Sequence, residues 1–433
     1  MFHKDHKASC QGFSRRRFLK VAGLVGGASM VGGLSWVARS QGLGLKWGLL
    51  PPLTGPFATL GEKQKQGAVM ALEEIKAGGG LFKDLEWFIE DTSLKASVAV
   101  QKADKLILQN GVQFITGTIS SSSALAVREV INKNEVFFTP TAGANEITTL
   151  STDCSPWLFR TELMTWQAVS ALVELVRGLV VKGAWGPNHW LVIPGYSYGF
   201  SMRDTWREKT KGFLNEVGYS EETGFGFTDH SAIITEIAAA RDAGKVDFIA
   251  TALLGSPLVT FMQQAQSAGL IGTGPGLIPV VDPVLQFNIR EIGDISVGHY
   301  TTIRYSLLYD SPENKAFVGA FHQRWNDYPE NFSHNAYVAV KMMAAGVEKA
   351  AKAGMSTFDK QAVLKALDQE DRFTAPMGVS YFRAIDHQIV RDIGAGQIIN
   401  VPQYPFPSEK QLGSMVPGKQ AIAGIVQQCK LPT

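Results

Sequence analysis

The stretch QFITGTISSSSALAVREVINKNEVFFTPT, residues 113–141, decides the fold. Residues 113–117 are a short apolar run that suits a buried strand. Residues 122–132 carry apolar side chains at helical spacing, and 136–139 are again apolar and strand-like. A strand, a helix and a second strand within thirty residues require a parallel pairing with a crossover. Four serines, Ser120 to Ser123, lie where the first strand ends and the helix opens. In such sheets that edge faces a ligand crevice. Helix N-terminal N–H groups and serine hydroxyls there can hold a carboxylate without a cationic side chain, although serine also serves simply as a helix cap.

The same alternation extends both ways. Upstream, 45–50 and 85–90 read as strands. Residues 62–77 and 96–109 read as helices, with Val69, Leu72 and Ile75 on one face and Val100, Ala103, Leu106 and Ile107 on the other's. Downstream, helices are expected at 166–181, 202–217, 233–243 and 257–268, and strands at 189–193, 248–252, 277–281 and 299–304. Long helices follow at 314–327 and 335–353, then a hairpin near 374–388. The proline-rich tail (Pro402, Pro405, Pro407, Pro417) reads as surface loop. The class is α/β, doubly wound. At 433 residues the chain is long enough for two or three domains.

The first forty residues differ in kind. They hold seven Lys or Arg and one Asp, or +6, within a chain whose 41 basic and 39 acidic residues give +2. The remaining 41–433 therefore carries −4, which disfavours nucleic acid as a partner. Ser14-Arg15-Arg16-Arg17-Phe18-Leu19-Lys20 precedes a glycine-weakened apolar run, 21–38, and a small-residue exit at Ala38-Arg39-Ser40. This is the pattern of a cleavable export signal of the twin-arginine type, removed near Ser40. The mature protein is then expected to be soluble and periplasmic. Cys10 leaves with the signal. Cys154 and Cys429 remain in an oxidising compartment, as a disulfide or as two free thiols.

Three motifs bear on chemistry. Thr139-Pro140-Thr141-Ala142-Gly143-Ala144-Asn145 ends the next strand with small residues that would let a ligand approach the backbone. Gly195-Tyr196-Ser197-Tyr198-Gly199 matches the nucleophile elbow of hydrolases, with Asp282 and His322, His334 or His387 available in the required order. No HGGG-type oxyanion segment precedes it. Metal-ligand spacing, a phosphate-binding loop and a dinucleotide fingerprint do not occur, so no metal or cofactor is expected.

Taken in order, Leu53-Thr54-Gly55-Pro56 before Gly61, Gly67-Ala68, the Gly117-to-Ser123 segment, Thr139-Pro140 with Thr148, Phe159-Arg160-Thr161, Tyr198-Gly199, Gln264-Ala265 with Gly269-Leu270, Pro312-Glu313-Asn314, Ala336-Tyr337-Val338 and Arg383 with Asp386-His387-Gln388 carry a resemblance. From about residue 45 to 388 the chain resembles the branched-chain amino-acid (leucine/isoleucine/valine) solute-binding proteins of ABC transporters. The resemblance implies a type I periplasmic-binding fold of two doubly wound lobes joined by three crossovers. Lobe 1 would take 43–162 and 300–376, and lobe 2 163–299 and 377–433 with the C-terminal tail. It also implies a monomer that closes on an amino acid or related small polar or amphipathic solute and delivers it to a membrane permease. A ligand-sensing receptor of the same fold, and a secreted serine hydrolase using Ser197, are the other readings. Ser121, helped by Ser120 and Ser122, matches the position that holds the ligand's carboxylate. Thr141, Ala142 and Gly143 match the next loop, where Gly143 replaces a hydroxyl residue. Tyr198 matches the aromatic brought over by the second lobe, and Asp282 the acid that balances an ammonium group. Phe57 or Leu60 matches a first-lobe aromatic, and Leu254 or Gly255 another aromatic position.

Overall fold

The computed structural model describes residues 42–222 and 224–431. The expected export segment, 1–40, lies outside them. The chain opens with β1 (Lys46–Leu50), α1 (Ala58–Ala77), β2 (Glu86–Ile89), α2 (Ala96–Asp104), β3 (Phe114–Gly117), α3 (Ser121–Asn134) and β4 (Phe137–Thr139). These four strands form one parallel sheet in the order β2-β1-β3-β4. The register sets Trp47 beside Phe114 and Phe114 beside Phe137. Their rings stack at 4.5 and 5.2 Å. Each such pair adds about 0.5–1.5 kcal/mol beyond simple burial.

The second sheet is built from the middle of the chain. It follows α4 (Thr165–Val181) and comprises β5 (Asn188–Pro194), α5 (Ser197–Thr210), β6 (Asn215–Glu222), α6 (Ser231–Asp242), β7 (Phe248–Thr251), α7 (Ser256–Ser267), β8 (Val280–Asp282), α8 (Ile289–Ile292) and β9 (Tyr300–Ile303). The chain then returns to the first lobe through α9 (Pro312–Trp325), α10 (Asn331–Lys352) and α11 (Lys360–Leu367). A small antiparallel sheet, β10 (Phe373–Ala375), β11 (Gly378–Phe382) and β12 (Ile389–Val390), leads back to β13 (Gly394–Ile399), β14 (Ser408–Gln411) and α12 (Gly418–Ile422). The second sheet reads β14-β13-β9-β8-β7-β5-β6. Its parallel part repeats the first sheet's order, so each sheet has a switch point where neighbouring loops part and a ligand can enter.

Three expectations change. Residues 202–217 are not one helix: α5 ends at Thr210, and 215–222 form the edge strand β6. That strand is mostly exposed and polar, so it lacks the apolar run that marks a strand. β9 pairs with β8 and β13, so the passage out of the second lobe falls after Ile303, not at 300. The tail is only partly loop: β13 is largely buried in the second sheet, its pattern masked by two glycines and an alanine, and β14 pairs along it.

Residues that mark the resemblance yet lie far apart in the chain meet at the crossovers. Buried Arg160 donates to Gln388 Oε1, to Thr148 Oγ1 and to the carbonyls of Ala142 and Ala144. Gln388 in turn donates to the Glu162 carbonyl at 2.9 Å. Thr149 donates to Asp386 at 2.6 Å, and Arg383 pairs with the same carboxylate. Cys154 and Cys429 are joined in a disulfide, with Cα atoms 5.4 Å apart. It ties the last described residues to the first lobe's crossover.

Candidate functional site

The carboxyl ends of β1, β3 and β4 face those of β5, β7, β8 and β9 across a cleft. From the first lobe Phe57, Ile119, Ser120, Ser121, Thr141 and Gly143 line a cavity there, with Glu162 at the crossover and Phe332 from α10. From the second come Tyr196, Tyr198, Leu254, Val284, Phe287 and Arg304. The space between them is only about 20 Å³, room for roughly one water.

Ser120 caps α3: its Oγ accepts from the Ser123 N–H at 3.3 Å. Ser121 Oγ accepts from the Ala144 N–H at 3.2 Å, and Thr141 Oγ1 from Gln64 Nε2 at 2.6 Å. Each of these three hydroxyls keeps its own proton to donate. Gly143 lies against Tyr198: a Cβ there would sit 3.1 Å from the ring. The space of the missing hydroxyl at 143 is thus taken by the Tyr198 ring. Tyr198 Oη is buried beside the Arg304 guanidinium without a well-formed hydrogen bond; burial raises its pKa and Arg304 opposes the rise.

Ser122, Ala142 and Asp282 do not line this cavity. Ser122 points one helical step away from Ser121 and meets Ser197 Oγ of the other lobe at 3.1 Å. The Ala142 carbonyl turns outward to Arg160. Asp282 is fully buried, and its Oδ1 accepts from the Val284 N–H at 2.6 Å. Burial pushes its pKa well above the ordinary carboxyl value, and its Oδ2 has no hydrogen-bond partner. Leu60 is buried away from the cavity, whereas Leu254 lines it and Gly255 packs on Phe57.

The motif around Ser197 also changes meaning. A Cβ at Gly199 would come within 1.8 Å of the Pro194 carbonyl, so the second glycine lets α5 pack on the end of β5. Gly61 stands in the same relation to Pro52 in the first lobe. Ser197 pairs with Ser122, while His334 and His387 pair with Asn335 and Asp368, and His322 with the Asp327 carbonyl. The residues nominated as a triad are not brought together.

Arg304 is chief among the cavity residues that the sequence reading missed. It follows β9 directly, at the strand end where the ligand crevice is expected, and that position was its only signal. Its Nη1 donates to Glu162 Oε1 at 2.7 Å and to the Leu163 carbonyl at 3.2 Å, and its Nε to the Pro283 carbonyl at 3.2 Å. Nη2 has no partner, and the guanidinium lies over Phe287 at 5.4 Å. Glu162 is saturated: besides Arg304 it accepts from the Leu163 N–H at 3.1 Å, from Asn331 at 2.7 Å and from Asn335. The pair is neutral as a unit. What faces the cavity is a set of donors, namely Arg304 Nη2, the Ser120 and Ser121 hydroxyls and the N-terminus of α3, together with the rings of Phe57, Tyr196, Phe287 and Phe332.

Two doubly wound lobes of matching strand order around a donor-lined cleft define a two-lobed binding protein of the type I periplasmic fold. The chain belongs to the periplasmic binding protein family, whose model matches residues 44–401. It is 30% identical over 338 residues to the leucine-, isoleucine-, valine-, threonine- and alanine-binding protein of Pseudomonas aeruginosa, covering 77% of this chain and 84% of that protein. Among solved structures, an ABC-transporter solute-binding protein from R. palustris in complex with benzoate superposes with a TM-score of 0.75 at 22% identity, covering 89% of this chain and 99% of that one. An amino-acid ABC-transporter substrate-binding protein from Pseudomonas fluorescens gives 0.75 at 23% identity, covering 89% and 99%. These two likenesses are of fold. Among the described residues, no group of three or more His, Cys, Asp or Glu is placed to hold a metal, and no helix is long and apolar enough to cross a membrane.

Proposed function

We propose that this protein is the periplasmic substrate-binding component of an ABC importer, and that its lobes close on a small amphipathic carboxylate. Its partner is then an inner-membrane permease. It is exported through the twin-arginine route, loses its signal near Ser40 and acts as a monomer. Lobe 1 comprises 43–162 with the return segment that ends near 376, and lobe 2 the remainder.

One observation carries the ligand class. The cavity brings converging donors together with aromatic walls, and the carboxyl group that lines it, Glu162, has no free oxygen for an ammonium. Glu162 is fully engaged, and Asp282 does not line the cavity. A buried donor left unmatched costs about 1–3 kcal/mol, so an anion that satisfies Arg304 Nη2 and the two serines gains on closure. Aromatic or branched acids without an α-amino group fit this chemistry better than free amino acids do. Benzoate, held by the R. palustris neighbour, is such an acid.

A thermal-shift series tests it: benzoate, benzamide, leucine and 4-methylpentanoate (leucine without its amino group). A ligand at a hundredfold its Kd stabilises by about 2.7 kcal/mol. Benzoate and 4-methylpentanoate are expected to raise the melting temperature, and benzamide is not. A shift with leucine and none with 4-methylpentanoate would show an ammonium partner in the cleft and defeat the proposal.

A further inference from the structure

The loop after β6, residues 224–230, reads Gly224-Phe225-Gly226-Phe227-Thr228-Asp229-His230. Its far end is pinned to the second lobe. His230 Nδ1 pairs with Glu222 Oε1 at 2.8 Å and Nε2 with Thr260 Oγ1 at 3.0 Å. The His230 N–H donates to Gln264 Oε1 at 2.9 Å, and Gln264 Nε2 donates to the Thr228 carbonyl at 2.7 Å. The tip, by contrast, reaches over the cleft. Phe225 lies between two glycines with φ of +84° and +83°, a backbone region that favours glycine. The ring stacks on Tyr196 of its own lobe at 4.4 Å and meets Phe57 of the first lobe edge-on at 6.0 Å. At Gly226 the backbone comes so near Pro56 that a Cβ would sit 2.8 Å from its Cγ.

Tyr196 and Phe57 both line the cavity; Phe225 does not. It sits one layer outside them and touches both lobes, with 38% of its surface still exposed. We propose that Phe225 is a positioning and specificity residue for the cleft: a bridging ring that holds the two wall aromatics together over the ligand's outer end. Two consequences follow. The ring favours the closed arrangement, because its contact with Phe57 exists only when the lobes meet. It also bounds ligand length, because a substituent projecting from the end opposite the carboxylate must displace it. The residue would thus separate flat, unsubstituted ring acids from longer ones.

The length-selection half rests on the carboxylate reading of the cavity; the bridging half does not, and the experiment keeps them apart. Spin labels at exposed Gln101 of the first lobe and Glu208 of the second report lobe separation in ligand-free full-length protein. Phe225→Ala is expected to lower the closed-to-open ratio about 3- to 10-fold, the worth of an aromatic pair, and Phe225→Tyr to restore it. An unchanged ratio, or a wild-type distribution with no closed component, overturns the proposal. In the second arm, benzoate release is followed by stopped flow. Phe225→Ala is expected to release benzoate about 10-fold faster and to gain affinity for 4-tert-butylbenzoate relative to benzoate, with its melting temperature close to wild type. Equal release rates in the two proteins overturn the proposal. A wild type that ignores benzoate defeats the carboxylate reading instead, and the spin-label arm then decides Phe225 alone.

Discussion

Replacing Arg304 by glutamine removes the one cationic group in the cavity wall while keeping a donor of similar reach. In the ligand complex, Nη2 is expected to donate to the carboxylate in a site with 1% of the arginine exposed. A charge-assisted hydrogen bond of that kind contributes about 1.5–3 kcal/mol, so Arg304→Gln is expected to weaken benzoate about 10- to 150-fold. Benzamide, with no charge to match, should change by less than about threefold. Stability moves as well, because Glu162 loses its ion partner inside the protein. Breaking a buried pair from one side costs about 3–5 kcal/mol, and Asn331, Asn335 and the Leu163 N–H keep this case toward the lower end. The double variant Glu162→Gln/Arg304→Gln removes both charges and should recover much of that stability without recovering affinity. Isothermal titration gives the affinities and urea unfolding the stabilities. Benzoate affinity within threefold of wild type in Arg304→Gln, or an equal loss for benzoate and benzamide, would refute the reasoning.

Three further outcomes are expected. Burial raises the pKa of Glu330 and of Glu409 to about 7 each, above the ordinary carboxyl value of 4.5. Their contribution to stability is therefore complete below about pH 4.5 and lost as pH rises through about 7. Urea unfolding should show Glu409→Gln gaining on wild type between pH 5 and pH 8, and a constant difference counts against it. Intact-mass analysis should show no alkylation of Cys154 or Cys429 without reductant. Cys429→Ser should release the tail from Thr149, at a cost of about 2–4 kcal/mol by thermal unfolding. Arg290 of the second lobe pairs with Asp327 of the first at 2.8 Å and donates to the Tyr328 carbonyl at 2.9 Å. Because Asp327 is 40% exposed, the pair adds only about 0.5–1 kcal/mol to closure. Arg290→Ala should weaken ligand binding about two- to fivefold, and the effect should shrink in 0.5 M salt.

Much of the first-lobe half of the cavity was legible because it follows from a local rule. In a parallel sheet the carboxyl ends of the strands face the crevice, so Ser120, Ser121, Thr141 and Gly143 could be placed by finding where strands stop. Tyr198 likewise follows β5, and the same rule applied to β9 reaches Arg304. Ser122 fell outside because a helix turns about 100° per residue, which swings it from the cavity to the opposing lobe. Phe332 and Glu162 carried no local signal. One opens a helix that belongs to the first lobe only through the chain's return, and the other lies in a crossover. β6 and β13 were hidden for opposite reasons, one too polar at its edge and the other too rich in small residues.

The sequence by itself determined the alternation of strand and helix, the parallel winding and the loops that would meet a ligand. Those features depend on periodicity and on residues within one turn or one strand of each other. Only the tertiary structure decided which charges survive in the cleft. Asp282 is an acid in the sequence, whereas the fold buries it behind the cavity wall, where burial raises its pKa. Arg304 keeps its fork toward the cavity only because Glu162, far away in the chain, is held beside it by Asn331 and Asn335. A side chain's charge and partners depend on what is packed around it, and here those neighbours come from chain segments more than a hundred residues apart.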